Sequence, residues 1–384
     1  MAQSPAANRI PFNRPSRTDL DATYIAEALD SGKLAGDGPF TRKSQALLEQ
    51  MLGAPRALLT TSCTDALEMS AILLDIRPGD EVIVPSFTFV SSINAFVLRG
   101  ARPVFADIRE DTLGLDERQL DGLITSRTRA IVPVHYAGVA CDMDAIGAAA
   151  RTVGAAVVED NAHGFFGTYR GKPLGTFGAL STLSFHDTKN VTCGEGGALI
   201  INDPSLIERA EIIREKGTDR TKFLRGQIDK YGWVDLGSSF LPSELLAAML
   251  AAQLERSGWI QECRQRLWQR YMSELGDWAE RHHVTLPMVP ADRTSSFHMF
   301  NVLVPSIAFR DSLFQHLRQR GIQAVSHYIP LHLSPMGRKF GGHPGQCPVA
   351  ERVNELIVRL PFFTNMTTAE LDDVITTVQG FEPD

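Results

Sequence analysis

The sequence predicts an α/β protein, with a mostly parallel central sheet and a smaller C-terminal α+β domain. Three observations predict this. Between residues 56 and 201, short β-rich runs alternate with helical patterns, the order expected of a sheet covered by helices on both sides. The β-rich runs are continuously apolar, as in EVIVP at 81–85 and AAVVED at 155–160, which suits strands buried on both faces. After residue 201 that rhythm yields to a long helical stretch and a second, shorter βα group. The division is placed at 1–250, including an N-terminal arm at 1–20, and 251–384.

The elements follow in order. Residues 56–60 form a short apolar strand and 64–75 a helix. The turn Pro78-Gly79-Asp80 leads into a strand at 81–85. Helix at 89–98, strand at 103–108 and helix at 117–124 come next. A strand at 130–136, a helix at 143–153 and a strand at 155–160 complete the alternation. Strands at 180–185 and 198–201 have no helix between them, only the polar, Gly-rich stretch 186–197. A helix covers 205–215, residues 218–241 are irregular, and helix runs from 243 to about 275. The C-terminal group comprises strand 299–304, helix 309–320, strand 323–325 and helices near 348–358 and 368–378.

Composition excludes several classes. The 384 residues carry 38 Lys and Arg against 45 Asp and Glu, a net charge of −7. Duplex DNA binding needs a broad basic face, so no nucleic-acid partner is expected. No apolar stretch is long enough to span a membrane, and residues 1–13 lack the apolar core of a secretory signal. The five cysteines are far apart, odd in number and without a C-x-x-C pair. Reduced thiols and a cytoplasmic location are expected. The ten histidines contain no H-E-x-x-H, and no metal site is expected.

Sites in open α/β sheets lie at the carboxyl ends of strands, which directs attention to three places. Thr61-Ser62-Cys63-Thr64 opens a helix, where free N–H groups and hydroxyls suit a phosphate or an ordinary N-cap. Asp160 ends the apolar run AAVVED. Lys189 follows the strand 180–185, where a lowered pKa would make it an amine nucleophile. Neither Gly36-Asp37-Gly38 nor Gly194–Gly197 completes a nucleotide-binding fingerprint. Phosphate cradle, strand-end carboxylate and strand-end lysine are together what pyridoxal phosphate needs. A generic α/β enzyme is the other reading of the residues alone.

The stretch Ser184-Phe185-His186-Asp187-Thr188-Lys189-Asn190, followed by Gly194-Glu195-Gly196-Gly197, resembles the Schiff-base segment of the DegT/StrS sugar aminotransferases. The likeness extends from Ile10-Pro11-Phe12 through 31–41, 85–94, 133–144 and 326–332. It implies the fold-type-I architecture of pyridoxal 5'-phosphate (PLP) aminotransferases and a homodimer with shared active sites. Position by position, it implies that Lys189 is the Schiff-base lysine and proton carrier and that Asp160 partners the pyridinium nitrogen. His163 would lie near the phenolic oxygen, Phe89 against the ring face, and Cys63, Thr64 and Ser184 around the phosphate. Many relatives carry an Asn in a stretch that reaches the partner subunit's phosphate. Here that stretch is Gly237-Ser238-Ser239-Phe240-Leu241, and the shorter Ser239 stands in its place.

The Ser-Ser version, the segments 214–220 and 225–231, and Cys141 within GVACDMD resemble one subgroup, the dTDP-4-amino-4,6-dideoxygalactose transaminases. The expected substrates are a nucleotide sugar and L-glutamate. Lys33, Arg220, Arg225, Lys230 and Arg338, in polar loops, are candidates for the diphosphate, with ordinary solvated charges as the alternative. His327 and His332 flank a segment that borders the active site in the family. Amination at C3, the other C4 epimer, and a catalytically silent homologue are the alternatives.

Overall fold

The computed structural model describes residues 9–383. Residues 1–8 of the expected arm lie outside the described residues. The central sheet contains β1 (Arg56–Thr60), β2 (Glu81–Pro85), β3 (Arg102–Ala106), β4 (Thr128–Ile131) and β5 (Ala156–Asp160). A small hairpin, β6 (Thr168–Tyr169) and β7 (Lys172–Pro173), precedes the last two sheet strands, β8 (Leu180–Ser184) and β9 (Gly197–Ile201). The strand order is β1-β9-β8-β5-β4-β2-β3. Strand β9 runs antiparallel to both neighbours, and every other pairing between neighbours is parallel. The carboxyl ends of the other six strands therefore share one edge, joined there by the start of β9.

The sheet is buried on both faces, as its continuous apolar runs require. All five residues of β2 and all five of β9 are inaccessible. Burying such side chains yields about 25 cal/mol per Å² of apolar surface, which makes these strands the rigid platform of the site. Helix Cys63–Leu73 packs on β8 and β9. Its approach depends on Gly197, where a Cβ would overlap the Ser62 carbonyl carbon and the Cys63 amide nitrogen. Helices Asp21–Asp30 and Pro39–Leu52 pack on Glu244–Glu255. The 250/251 division falls within that last helix.

Several elements differ from expectation. The strand expected at 130–136 ends at Ile131, because Pro133 has no N–H for the ladder. A single bridge, Val134 to Asp160, follows. The helix expected from 243 to 275 breaks at Arg256 (φ −99°, ψ 8°) into Glu244–Glu255 and Ser257–Glu274. Arg256 is tied to Asp19 by two hydrogen bonds of 2.8 and 2.7 Å.

The second core gathers Tyr271, Trp278, Phe300, Leu313 and Phe363, with Ile10 from the arm. Ile10 bridges Ile322 in parallel. After β10 (Arg293–Thr294), which extends the hairpin, the C-terminal region forms a two-stranded sheet from β11 (Asn301–Leu303) and β12 (Ile357–Arg359). The helix expected at 348–358 stops at Leu356, and β12 takes over. The strand expected at 323–325 reduces to one bridge from Val325 to Arg359.

Candidate active site

The loops that leave β1, β2, β4, β5 and β8 converge on one cavity of about 500 Å³. It lies at the carboxyl edge of the sheet, where strand polarity places ligands in such folds. Cys63, Thr64, Phe89, Asp160, His163, Ser184, Lys189 and His327 all line it. Residues separated by more than 260 positions are thus brought to one wall by the sheet order and the packing of the C-terminal domain.

Asp160 is the last residue of β5 and is 5% exposed. Its Oδ2 accepts a 2.6 Å hydrogen bond from Ser92 Oγ, and its Oδ1 accepts from the Ala162 N–H at 3.2 Å. Ser92 is itself 2.9 Å from Thr88 Oγ1. With Ser92 donating to the carboxylate, Thr88 is the donor to Ser92. This hydroxyl relay was not foreseen, because nothing in the spacing of Thr88 and Ser92 singles them out.

Lys189 sits in the turn after β8, its N–H bonded to the His186 carbonyl at 2.9 Å. Burial lowers its pKa to about 8 and the Arg359 charge works in the same direction, while Cys63 and Asp160 oppose them. A substantial neutral fraction at neutral pH is what an amine nucleophile needs. Burial pushes the Cys63 thiol up to about 12. It remains protonated, and its Sγ lies 3.4 Å from Thr182 Oγ1.

Helix Cys63–Leu73 opens beside the cavity with Ser62 as N-cap, the Ser62 side chain accepting from the Asp65 N–H. The Cys63 and Thr64 N–H groups belong to the first turn, which has no acceptors of its own. Thr64 Oγ1 lies 2.8 Å from Ser91 Oγ. An anion at this end gains from both hydrogen bonding and the helix dipole.

Aromatic rings also line the cavity. His163 stacks on His298 with centroids 4.3 Å apart and planes at 19°. His163 Nδ1 is buried without a partner. Burial, aided by the Lys189 and Arg359 charges, holds the ring well below the ordinary histidine range. His298 Nδ1 is 3.0 Å from Asn190 Oδ1, next to the lysine. His327 Nδ1 is 2.9 Å from Tyr136 Oη, and burial with the Arg359 charge takes its pKa down to about 2. Phe89, expected on a helix, precedes the helix Ser91–Val97 and is 57% exposed at the cavity rim. It is not a core aromatic.

Other expected residues stand elsewhere. His332 is fully buried between Ser86 Oγ (2.5 Å to Nδ1) and Glu351 Oε1 (2.9 Å to Nε2). It does not line the cavity and serves as a structural pin. Ser239 is exposed and bridges Glu215, so within one chain it does not reach the cavity. Arg225 is held by two hydrogen bonds to Glu211 and Arg220 by Glu215. Lys33 and Lys230 are exposed, and Arg338 donates to the Leu333 carbonyl at 3.1 Å. Tyr136, His298 and Arg359 line the cavity without having been singled out in the sequence. No helix of the described residues is long and apolar enough to cross a membrane. Among these residues no group of three or more His, Cys, Asp or Glu could hold a metal.

Pyridoxal phosphate fits these residues. Asp160 offers a fixed carboxylate, the helix start offers open N–H groups, Lys189 is depressed, and the buried His163 Nδ1 lacks a partner.

The profile of the DegT/DnrJ/EryC1/StrS aminotransferase family matches residues 15–379. The chain is 32% identical to the spore coat polysaccharide biosynthesis protein SpsC of Bacillus subtilis over 378 residues, covering 96% of each. It is 31% identical to the aminotransferase TlmJ of Streptoalloteichus hindustanus, with a TM-score of 0.87 and 96% and 98% of the two chains covered. The PLP form of Spr1654 from Streptococcus pneumoniae superposes with a TM-score of 0.88 at 27% identity, over 96% and 97% of the chains.

Proposed function

The chain belongs to the DegT/DnrJ/EryC1/StrS aminotransferase family, is a PLP-dependent enzyme, and from that premise we propose the following reaction. It transfers an amino group from L-glutamate to C4 of dTDP-4-dehydro-6-deoxy-D-glucose. The products are dTDP-4-amino-4,6-dideoxy-D-galactose and 2-oxoglutarate. The carrying observation for the chemistry is the meeting of Lys189 and Asp160 in one cavity beside the open helix start. The choice of sugar is supported by the likeness of the segments 214–220, 225–231 and 237–241 to one subgroup.

In this reading Asp160, held by Ser92 and Ala162 N–H, keeps a negative charge at the cofactor's ring nitrogen. Cys63, Thr64 and Ser184 would hold the phosphate, His163 Nδ1 would serve the phenolic oxygen, and Phe89 a ring face. When bound, pyridoxal phosphate supplies an electron sink for the bond broken at the substrate carbon. Lys189 Nζ would take the proton from that carbon and carry it to the cofactor, which its depressed pKa permits. Two substrates served in turn by one lysine predict ping-pong kinetics. A homodimer would bring Ser239 of one subunit to the other's phosphate. The exposed Lys33 and Lys230 would then be open to the nucleotide's diphosphate, whereas Arg220 and Arg225 would have to leave Glu215 and Glu211 to meet it, and Arg338 the Leu333 carbonyl.

The test is the visible spectrum of the PLP-loaded protein, before and after L-glutamate. The expected outcome is a loss of the absorbing form, its recovery on adding the keto sugar, and no response in Lys189→Ala. Product NMR then distinguishes the C4 galacto amine from its epimer and from a 3-amino sugar. A protein that takes up PLP but does not respond to L-glutamate overturns the proposal.

A further inference from the structure

Residues 295–298 link β10 to β11, and the last of them reaches the cavity. His298 is only 5% exposed yet lines the cavity. Its ring stacks on His163 with centroids 4.3 Å apart, and its Nδ1 lies 3.0 Å from Asn190 Oδ1. Asn190 directly follows Lys189. Its Nδ2 donates to the Ser296 carbonyl at 2.7 Å. Asn190 Oδ1 is therefore the acceptor toward His298, and His298 carries its ring proton on Nδ1. One ring thus touches both the neighbour of the lysine and the face of the other cavity histidine.

The ring is rigidly mounted. Ser296 is fully buried, its Oγ donates to the His163 carbonyl, and its N–H donates to the Gly138 carbonyl at 3.1 Å. Gly138 has φ 85°, and a Cβ there would strike Ser296 Oγ. Phe297 stands at φ 52°, a region that bulky residues seldom adopt. Arg264 secures it, with Nε donating to the Phe297 carbonyl at 2.9 Å and Nη2 to the His298 carbonyl. Arg264 Nη1 also donates to Thr364 Oγ1 at 3.3 Å, which lies 2.6 Å from Ser16 Oγ. With Ser16 donating to the Asn190 carbonyl at 3.2 Å, Thr364 is the donor between them, and the network closes on Asn190. Burial, aided by the Lys189, Arg264 and Arg359 charges, holds His298 well below the ordinary histidine range. It brings no charge of its own to the cavity.

We propose that His298 is a positioning residue that sets Lys189 and His163 in register with one cofactor, the first through Asn190 and the second through the ring stack. The inference rests on the roles proposed above for Lys189 and His163. The torsion about a histidine ring bond is broad, and His163 Nδ1 has no partner within the chain. Stacking therefore orients that ring: His298 covers one face, and Tyr136 meets it edge-on at 5.8 Å and 68°. Lys189 has a long, flexible side chain, so its aim depends on how firmly its backbone is held. The Asn190 side chain and carbonyl supply that hold. A misplacement of about 1 Å can cost about 100-fold in rate. A neutral ring suits the task, because a charged one would alter the proton affinity of both neighbours.

The experiment compares the wild type with H298F, H298Q and N190A in three measurements: the rate of PLP uptake by the apoprotein, the pH midpoint of the visible band of the loaded protein, and the denaturation midpoint. Phe keeps a ring face but cannot donate to Asn190, whereas Gln can donate but has no ring. H298F and N190A are each expected to slow uptake about tenfold, and the double variant no further, since both break one contact. H298F should leave the pH midpoint within about 0.2 unit of wild type. H298Q should keep uptake within about threefold and raise the pH midpoint by about half a unit, because a tilted His163 donates less well to the phenolic oxygen. The other groups facing His163, namely Lys189, His327, Arg359 and Tyr136, are unchanged in these variants, so the shift reads the stack. If H298F does not fold, N190A carries the uptake comparison and H298Q the spectral one. A lower denaturation midpoint with normal uptake and spectrum in the folded protein makes His298 mere scaffold and overturns the proposal. So do equal uptake losses in H298F and H298Q, or additive losses in the double variant. A Lys189→Ala protein with wild-type uptake and spectrum, or a His163→Phe protein with an unmoved pH midpoint, refutes the underlying roles, a separate result.

Discussion

Glu159 and Asp160 are adjacent carboxylates at the end of β5, and they have opposite fates. Successive side chains of a strand point to opposite faces. Glu159 is fully buried on one face, where it accepts from His135 Nε2 at 3.0 Å and from the Gly175, Phe177 and Gly178 N–H groups at 2.6–2.8 Å. Asp160 turns to the cavity with only Ser92 and Ala162 N–H upon it. The first carboxylate is consumed by the scaffold, whereas the second keeps capacity for a ligand. The histidines repeat the contrast. His135, although buried, is raised to about 9 by Cys141 and Glu159, whereas His163, buried among cations, is pushed down. Burial alone neutralises a ring, and a carboxylate partner reverses the sign.

The largest test of this contrast is Asp160→Asn, with a kcat loss of about 10³-fold expected from removing a preorganised charge at the reacting group. PLP uptake should persist, because the phosphate cradle is untouched. Equal losses in uptake and kcat would make Asp160 a scaffold residue like its neighbour.

Glu159→Gln should do the reverse. It leaves the buried His135 without its charge partner and costs about 3 kcal/mol of stability, read by chemical denaturation, while PLP uptake by the remaining folded protein stays normal. The pH dependence has a definite sign. His135 is raised from 6.5 to about 9, so its contribution is complete below 6.5 and is lost as pH climbs through about 9. Glu159 is held below 4.5, chiefly by His135 against the desolvation that opposes it. Its contribution is present above 4.5 and is lost as pH falls through the depressed value. Glu159→Gln should flatten the alkaline limb of the stability profile, and an unchanged limb would exclude the pair as its cause.

Lys189 gives a smaller, kinetic signature. Its neutral fraction grows as pH rises through about 8, so the rate of PLP uptake by the apoprotein should rise over that range. A rate independent of pH from 6.5 to 9.5 would contradict it. The smallest effect expected is from Ser92→Ala, which removes one hydrogen bond to a charged group, a loss of about 2 kcal/mol. A kcat decrease of roughly tenfold to thirtyfold follows, measurable by steady-state assay with cofactor content unchanged.

Much of this arrangement was legible in the sequence because it is local. AAVVED announces a buried strand with a carboxylate at its end, and the polar turn after 180–185 announces a lysine at the same edge. Cys63 and Thr64 follow from a strand-to-helix junction. Residues whose role depends on distant partners were not legible. Ser92, His298 and Arg359 carry no mark in their immediate surroundings, and His332 looked like a site residue until Ser86 and Glu351 closed around it.

The sequence by itself determined the parallel sheet, the edge at which chemistry gathers, and the lysine and carboxylate placed there. Apolar runs and strand ends are short-range properties, readable without partners. Only the tertiary structure decided which face of β5 serves the cavity, which buried histidines meet a carboxylate, and that a buried arginine from the C-terminal domain lines the same cavity as the lysine. Those properties arise from desolvation and from charges brought together across more than a hundred residues, and the packing of the two cores sets both.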